Sequence, residues 1–503
     1  MSRGKRYDNE PKLNMKKVVA VIVAILVIIM FVIGIKELLK GDKNIKEKVF
    51  PTGYYTIYEN GKWGVIDTKQ NVVIKPSYDE MIIVPDNTKP VFICTTNVDY
   101  ENNTFETQAL DNKNNKLFTN YNKVEVIYNN DKSNNLWYES GMLKVQKDGK
   151  YGLINLDGKE LLPCEHDEIK ALTGTKGVVI TIKDGKQGLV DALGNIIINN
   201  EYAEISSLTD KFSDGFIVKA ENGKYGVINY NKTVALETKY NEIKNVYGNN
   251  SYVVKEENTW KIVNNEGSTY LEGKFEDVKQ INGSNVIVKN NGKYGVLTLA
   301  GETKIEPQYE DLTFAYTDTY IAKNNGKYGI ISINNEVKLP IEYTYIEYVS
   351  EADFIRAQKE NSETDILSRD LQVKASGIIS EINTDKNYIR VRVGNEYKYY
   401  NFKLEEKESK EVLNSTLYLS KKDGKYGYVN EKGIVVVDYI YDDATEQNKY
   451  GYASVKKDGK WGAIDKKGKV IVEPTYTMEN NLVVDFIGEY HLAEDINANY
   501  YTK

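Results

Sequence analysis

The sequence predicts an all-β tandem-repeat protein, because one motif recurs along most of its 503 residues. The cleanest copy spans residues 290–312 and reads NNGKYGVLTLAGETKIEPQYEDL. Its Asn-Gly pair is the strongest short hairpin signal, since a type I′ turn needs positive φ at both central residues. A second turn at Gly301 and a closing aromatic at Tyr309 complete the unit. Each unit is therefore predicted to be a three-stranded antiparallel meander.

The spacing of the copies predicts their number and arrangement. The marker position, directly before the second glycine of the motif, identifies eight clear copies at Trp63, Tyr151, Gln187, Tyr225, Tyr294, Tyr328, Tyr426 and Trp461. Spacing places weakened copies near Gln108, Trp260, Asp365 and Tyr397. Twelve units of about 36 residues exceed the roughly four to eight blades of a typical propeller. We therefore expect an open superhelical, solenoid-like stack of about twelve units after one N-terminal transmembrane helix, with one or two β-propellers as the alternative.

The marker and its glycine are predicted to have structural roles. Strand alternation puts Trp63 and Gly64 on opposite faces of the strand. Glycine weakens a strand, so its recurrence predicts a close backbone approach, a bulge or a neighbouring ring. The marker aromatic is expected to pack over an adjacent unit. The residues assigned to this repeat core are Trp63, Gly64, Tyr151, Gly152, Tyr225, Gly226, Tyr294, Gly295, Tyr328, Gly329, Tyr426, Gly427, Trp461 and Gly462.

Each unit closes on an aromatic residue, and an acid follows two positions later. These acids are Glu80, Glu168, Glu204, Glu242, Asp277 and Asp311. We expect them to pair with the repeat lysines or to accept hydrogen bonds from turn amides. The alternative is that they form a ladder of cation sites. His166 falls at the closing aromatic position, so we expect a packed aromatic substitute and not a base or ligand.

The N-terminus predicts a membrane anchor. Residues 18–35 carry no charge and would form about 27 Å of helix, enough for most of a hydrocarbon core. A cleaved signal peptide is the alternative, but its apolar core is shorter and ends in small residues. The expected organisation is a cytoplasmic basic N-terminus (1–17), a signal-anchor helix (18–40), a tether (41–49), the repeat array (50–477, degenerate near 95–125, 250–280 and 356–420) and a closing strand or cap (478–503). The array is expected outside the cytoplasm, because a long C-terminal domain translocates largely regardless of local charge.

The KWGVID at 62–67, the KWGAID at 460–465 and the KYG copies between them resemble the bacterial WG-repeat (KWG-repeat) family. The resemblance covers roughly residues 54–476. It implies a β-rich tandem-repeat protein and supplies no catalytic residues.

Composition and motifs favour binding over catalysis. A formal net charge of −7 gives no basic surplus for nucleic acid, and two cysteines and two histidines match no metal or redox spacing. We expect no cofactor, no metal and no enzymatic activity. The expected function is a non-catalytic protein–protein interaction scaffold on the cell membrane, with an envelope protein as partner. A cell-wall glycan-binding module and an envelope-associated enzyme are the alternatives. Tyr397, Tyr399 and Tyr400 form an aromatic cluster in a degenerate region and are the candidate ligand surface.

Overall fold

The computed structural model describes residues 53–67, 70–86, 88–102, 104–131, 136–384, 387–394, 396–409, 417–447, 451–478 and 500–502. The predicted cytoplasmic segment, signal anchor and tether lie outside these residues, as does most of the predicted cap. Within the described ranges, no helix has the length and hydropathy that a membrane span requires.

Successive antiparallel β-strands form twelve repeated units, which we call blades 1 to 12. Blade 1 contains β1 (Tyr54–Glu59), β2 (Lys62–Asp67) and β3 (Val72–Tyr78); blade 2 contains β4 (Phe92–Asp99), β5 (Thr104–Leu110) and β6 (Lys116–Leu117). Blade 3 contains β7 (Lys123–Glu125), a side hairpin of β8 (Tyr128–Asn130) and β9 (Leu136–Tyr138), then β10 (Leu143–Lys147), β11 (Lys150–Ile154) and β12 (Glu160–His166). Blade 4 contains β13 (Glu168–Ala171), β14 (Val178–Lys183), β15 (Lys186–Asp191) and β16 (Ile196–Tyr202). Blade 5 contains β17 (Glu204–Ser207), a 3-10 turn (Phe212–Asp214), β18 (Phe216–Lys219), β19 (Tyr225–Ile228) and β20 (Val234–Tyr240). Blade 6 contains β21 (Glu242–Gly248), β22 (Ser251–Glu256), β23 (Thr259–Asn264) and β24 (Thr269–Glu272).

The second half of the array repeats the same order. Blade 7 contains β25 (Asp277–Asn282), β26 (Asn285–Asn290), β27 (Lys293–Thr298) and β28 (Thr303–Tyr309); blade 8 contains β29 (Asp311–Tyr316), β30 (Thr319–Asn324), β31 (Lys327–Ser332) and β32 (Val337–Tyr343). Blade 9 contains β33 (Tyr345–Val349), β34 (Phe354–Gln358), β35 (Thr364–Leu367) and β36 (Val373–Asn383), and β36 continues into blade 10 with β37 (Tyr388–Val393), β38 (Glu396–Asn401) and β39 (Glu406–Lys407). Blade 11 contains β40 (Tyr418–Lys422), β41 (Lys425–Val429) and β42 (Val435–Tyr441). Blade 12 contains β43 (Asp443–Ala444), β44 (Ala453–Lys457), β45 (Lys460–Ile464) and β46 (Val470–Met478), and β47 (Tyr500–Thr502) follows.

Most blades have four strands, which corrects the predicted three-stranded meander. Blades 1, 2 and 11 have three described strands, which correspond to the second, third and fourth strands of the other blades. The extra strand is the segment after each closing aromatic, such as β13 after His166, which pairs as the first strand of the next blade. The first turn behaves as predicted in seven of the eight clear copies, where both turn residues have positive φ, as at Asn60 (53°) and Gly61 (78°). The Asn-Gly and Asp-Gly pairs therefore close the hairpin between the second and third strands.

Twelve clusters of buried side chains among the described residues hold the array together, one at each interface between consecutive blades. The twelfth cluster joins blade 12 to blade 1 and contains Tyr55, Ile57, Ile66, Tyr452, Ala463, Val472 and Tyr476. A second link is β47, which pairs antiparallel with β46 and parallel with β1. An open stack of twelve units would have only eleven interfaces. The predicted open stack is therefore wrong, and the array closes on itself in a propeller-like circuit.

Candidate functional site

The glycine after the marker lies where the fourth strand of its own blade bulges across it. In all eight clear copies the pairing register shifts at this point, as between Trp63 and Val65 in blade 1. A Cβ atom built on any of these glycines would lie 2.3–2.8 Å from a carbonyl oxygen of the fourth strand. Real Cβ atoms do not approach backbone oxygen so closely. Glycine is therefore required by the bulge.

Four blades have a side chain at the glycine position, and none of them has the bulge there. In blade 6, Lys261 pairs directly with Glu272, and in blade 9, Asp365 pairs directly with Ser376. Blades 10 and 2 have Lys398 and Gln108 at the glycine position, and their fourth strands, β39 and β6, are only two residues long. The pairing register between the third and fourth strands thus depends on whether the residue at the glycine position has a Cβ atom.

This register corrects two predicted markers by one residue. Asp111 accepts hydrogen bonds from Asn115 as Asp67 does from Asn71, which aligns the two strands. The marker position of blade 2 is therefore Thr107, and Gln108 stands at the glycine position. In blade 9 the marker position is Thr364, and Asp365 stands at the glycine position. The other two weakened markers, Trp260 and Tyr397, are at the marker position.

The missing bulge in blade 2 leaves a groove beside blade 1. We call it the blade 1–2 groove; its volume is about 460 Å³, and its lining includes Val72, Ile74, Lys75, Tyr78, Gln108 and Lys116. The Gln108 side chain lines the groove, and its amide nitrogen lies 3.5 Å from the Tyr78 hydroxyl oxygen of blade 1. The groove is a candidate site because it exists where the repeat rule is broken.

The groove has polar and cationic walls and no nucleophile. Burial raises the pKa of the Tyr78 hydroxyl to about 12 and that of the neighbouring Cys94 thiol also to about 12. Both groups are therefore neutral near pH 7. Lys75 and Lys116 are exposed, and no described carboxylate lies within ion-pair distance of either. The arrangement can bind an anionic group and offers no acid–base pair for catalysis.

The predicted ligand surface is mostly buried. Tyr397 is 54% exposed, with the Arg390 guanidinium 5.1 Å from its ring centroid. Tyr399 is 8% and Tyr400 5% exposed. The Tyr399 ring packs between blades 10 and 11 and that of Tyr400 between blades 9 and 10. The three residues therefore do not form one surface, and Tyr397 alone is available to a ligand.

The marker aromatics are half-buried packing elements. Tyr294 and Tyr328 each lie against the cluster shared with the following blade. A lysine ammonium covers many of these rings, as Lys323 does 5.1 Å from the Tyr328 ring centroid. Each marker of the clear copies also pairs across the sheet with the closing residue of its own blade, as Trp63 does with Tyr78.

Five of the six periodic acids form ion pairs with lysines of the first and second strands, whereas Glu80 accepts a hydrogen bond from the Tyr100 hydroxyl. Asp311 accepts from Lys279 at 2.5 Å, across the interface between blades 7 and 8. Three of the repeat lysines instead bind the acid directly before the periodic one: Lys62 binds Asp79, Lys150 binds Asp167 and Lys425 binds Asp442. The expected pairing with lysine is therefore present in part, but with different lysines. Among the described residues, no group of three or more His, Cys, Asp and Glu is placed to hold a metal ion.

The remaining chemistry-bearing residues are packed. His166 is 7% exposed and pairs with Tyr151 at the closing position, and burial lowers its pKa. Both cysteines are free thiols, Cys94 buried and Cys164 partly buried. The β8–β9 hairpin docks on blade 4 through Glu139, which accepts from Asn129 at 2.6 Å and from the Gly177 amide at 2.7 Å.

Fold and site together define an all-β repeat protein built from blades, a class of fold consistent with an interaction scaffold. The family model described as "WG containing repeat" matches residues 63–82, 151–186, 225–260, 294–328, 328–362, 426–461 and 461–478. The chain therefore contains WG repeats at seven segments. No match was found among curated proteins.

Several solved structures are similar in part. BamB from Moraxella catarrhalis is 11% identical, with a TM-score of 0.24, over 59% of this chain and 88% of that one. A eukaryotic initiation factor is 10% identical, with a TM-score of 0.31, over 76% and 97%. Hsv2p from Kluyveromyces lactis is 9% identical, with a TM-score of 0.27, over 53% and 93%. Scores this low support no conclusion about the present chain.

Proposed function

We propose that the protein is a non-catalytic scaffold that binds other proteins, anchored in the cell membrane by its N-terminal segment with the blades outside the cytoplasm. The observation that carries the proposal is the burial of the repeated rings. Tyr240, Tyr441 and Tyr476 are at most 2% exposed, and the marker rings lie under lysines. A glycan-binding ladder would need equivalent rings open to solvent on successive blades.

The exposed tyrosines do not replace such a ladder. In the described part of the chain they lie on seven different blades and at different positions within the blade: Tyr58, Tyr100, Tyr128, Tyr230, Tyr270, Tyr345 and Tyr397. By contrast, five fourth strands at the edges of their sheets begin with an exposed β-branched apolar residue: Val72, Ile196, Val234, Val337 and Val435. Sheet edges with exposed apolar side chains are surfaces on which proteins dock.

The membrane part of the proposal rests on the uncharged run at residues 18–35. Its test is protease treatment of intact cells that express the full-length protein with a C-terminal tag. Loss of the tag from intact cells is expected. Protection until the cells are lysed would contradict an extracytoplasmic array.

The binding part is tested with full-length protein in detergent micelles, immobilised and exposed in parallel to purified cell-wall glycan and to membrane-protein extract. We expect saturable binding of a defined set of proteins at a fixed stoichiometry and no saturable binding of glycan. Saturable glycan binding that Tyr397→Ala abolishes would overturn the proposal in favour of a wall-binding module.

A further inference from the structure

We propose that the blade 1–2 groove binds an extended, acidic peptide segment of a partner protein. The inference rests on the proposed scaffold function and deepens it by assigning the site and the chemistry of the partner. Elsewhere a bulged fourth strand passes over the glycine position. In blade 2, the Gln108 side chain occupies that position, and the fourth strand is reduced to Lys116–Leu117.

The wall of the groove is the outer edge of β3. Val72, Val73, Ile74 and Lys75 line the groove consecutively, so a stretch of extended main chain faces it. Among the described residues, β3 has no strand partner on that edge, because it is the terminal strand of its sheet. An extended peptide can add to such an edge through main-chain hydrogen bonds. Pro76 lacks an amide hydrogen and limits the pairing to the first half of β3.

The positive charges of the groove favour an acidic peptide. Lys75 and Lys116 both line the groove, and no acidic side chain lines it. The nearest acid of the adjoining turn, Asp111, is engaged by the Asn115 amide and side chain and by the Lys113 amide. Two ammonium groups that have no carboxylate partner among the described residues are complementary to the carboxylates of an acidic peptide.

The floor of the groove accepts polar and small apolar side chains. The Gln108 amide, the Tyr78 hydroxyl and the Asn114 side chain provide donors and acceptors, and Leu110 provides an apolar contact. A volume of about 460 Å³ is that of an ordinary ligand pocket and fits a short segment instead of a folded domain.

The test uses full-length protein in micelles and two degenerate hexapeptide libraries. One library alternates Glu with Val, Ile or Thr, and the other has Lys in place of Glu. We expect the acidic library to be retained over the basic one, with slower amide exchange confined to residues 72–78 and 108–116. The double variant Lys75→Glu/Lys116→Glu is expected to lower retention about tenfold or more. The control Lys432→Glu/Lys467→Glu changes the same number of charges on exposed turns elsewhere and should retain the library.

Three outcomes of the peptide experiment overturn the inference, and a comparison of membrane-protein binding separates it from the scaffold function. The first is equal retention of the two libraries, and the second is unchanged binding of the acidic library by the Lys75→Glu/Lys116→Glu variant. The third is that oligogalacturonate displaces the acidic library while the peptide gives no amide protection, which would assign the groove to acidic glycans. If the groove variant still binds membrane proteins as wild type does, the groove assignment fails and the scaffold function stands. If wild type binds no membrane protein, the scaffold function itself fails.

Discussion

Replacing Gly295 by alanine tests the role of the bulge. Gly295 has an extended backbone that alanine also adopts, so the substitution adds only a methyl group. That Cβ atom would lie 2.5 Å from the Ile305 carbonyl oxygen and 2.7 Å from the Pro307 nitrogen. Both atoms belong to the main chain, so β28 must move away or lose its bulge. Overpacking of this kind costs about 1–3 kcal/mol.

The unfolded state offsets part of that cost. Alanine restricts the unfolded chain more than glycine does and contributes about 0.4–1 kcal/mol of stability. The net free energy of unfolding should therefore fall by about 1–2 kcal/mol. Urea unfolding of the full-length protein measures the loss, and amide exchange locates it, because the amides of β28 should open first.

The matched control is Lys398→Ala, at the same repeat position in a blade without the bulge. Its Cβ atom is already present, and the substitution removes only the exposed ion pair with Glu406. We expect unchanged amide exchange in blade 10. A Gly295→Ala protein as stable as wild type, or an equal loss in both variants, would refute the explanation of the recurring glycine.

Three further predictions concern buried polar groups. Cys94 is 0% exposed, and burial raises the pKa of its thiol to about 12, so it should resist thiol reagents at pH 8 in the folded protein. Cys164 is only partly buried and should react first. Mass spectrometry of the labelled peptides distinguishes the two cysteines. The substitution Asp365→Ala should lower the free energy of unfolding by about 1–3 kcal/mol, because the carboxylate is 3% exposed and accepts hydrogen bonds from Lys359 and Ser376. A urea unfolding midpoint unchanged from wild type would contradict this prediction. Because burial lowers the folded-state pKa of His166, the unfolded state binds its proton more tightly, so stability is full above about pH 6.5 and falls as the pH drops below it. His166→Tyr should lose less stability than wild type between about pH 7 and pH 5, and equal losses would contradict the assignment.

The sequence predicts local structure well because its signals act locally. Residues within a single blade determine the Asn-Gly turn, the strand that follows it and the need for glycine. The count of twelve follows because each blade carries its own copy of these local signals. The markers predicted at Gln108 and Asp365 are wrong by one residue because the spacing between repeats does not fix the strand register. The aspartate four residues after the marker position, Asp111 in blade 2, was the signal that fixes the register there.

Closure and burial depend on partners that are far apart in sequence. The cluster that closes the array joins residues from both of its ends, such as Tyr55 and Tyr476. Alternation could not separate buried from exposed tyrosines, because each sheet is covered by neighbours on both faces. Tyr399 faces blade 11 and Tyr400 faces blade 9, so both are buried although they alternate.

The contact between blades 1 and 12 has a kinetic consequence. The side chain of Gln70 meets the Glu473 carbonyl oxygen across a sequence separation of 403 residues. Closing a loop of that length costs about 5 kcal/mol of chain entropy, and no local contact compensates for it in advance. The seam should therefore form last during folding and exchange amide hydrogens fastest among the twelve interfaces. A transient opening there would uncover two apolar faces on one molecule, each complementary to the opposite face of another copy, so the seam is where domain-swapped oligomers would begin.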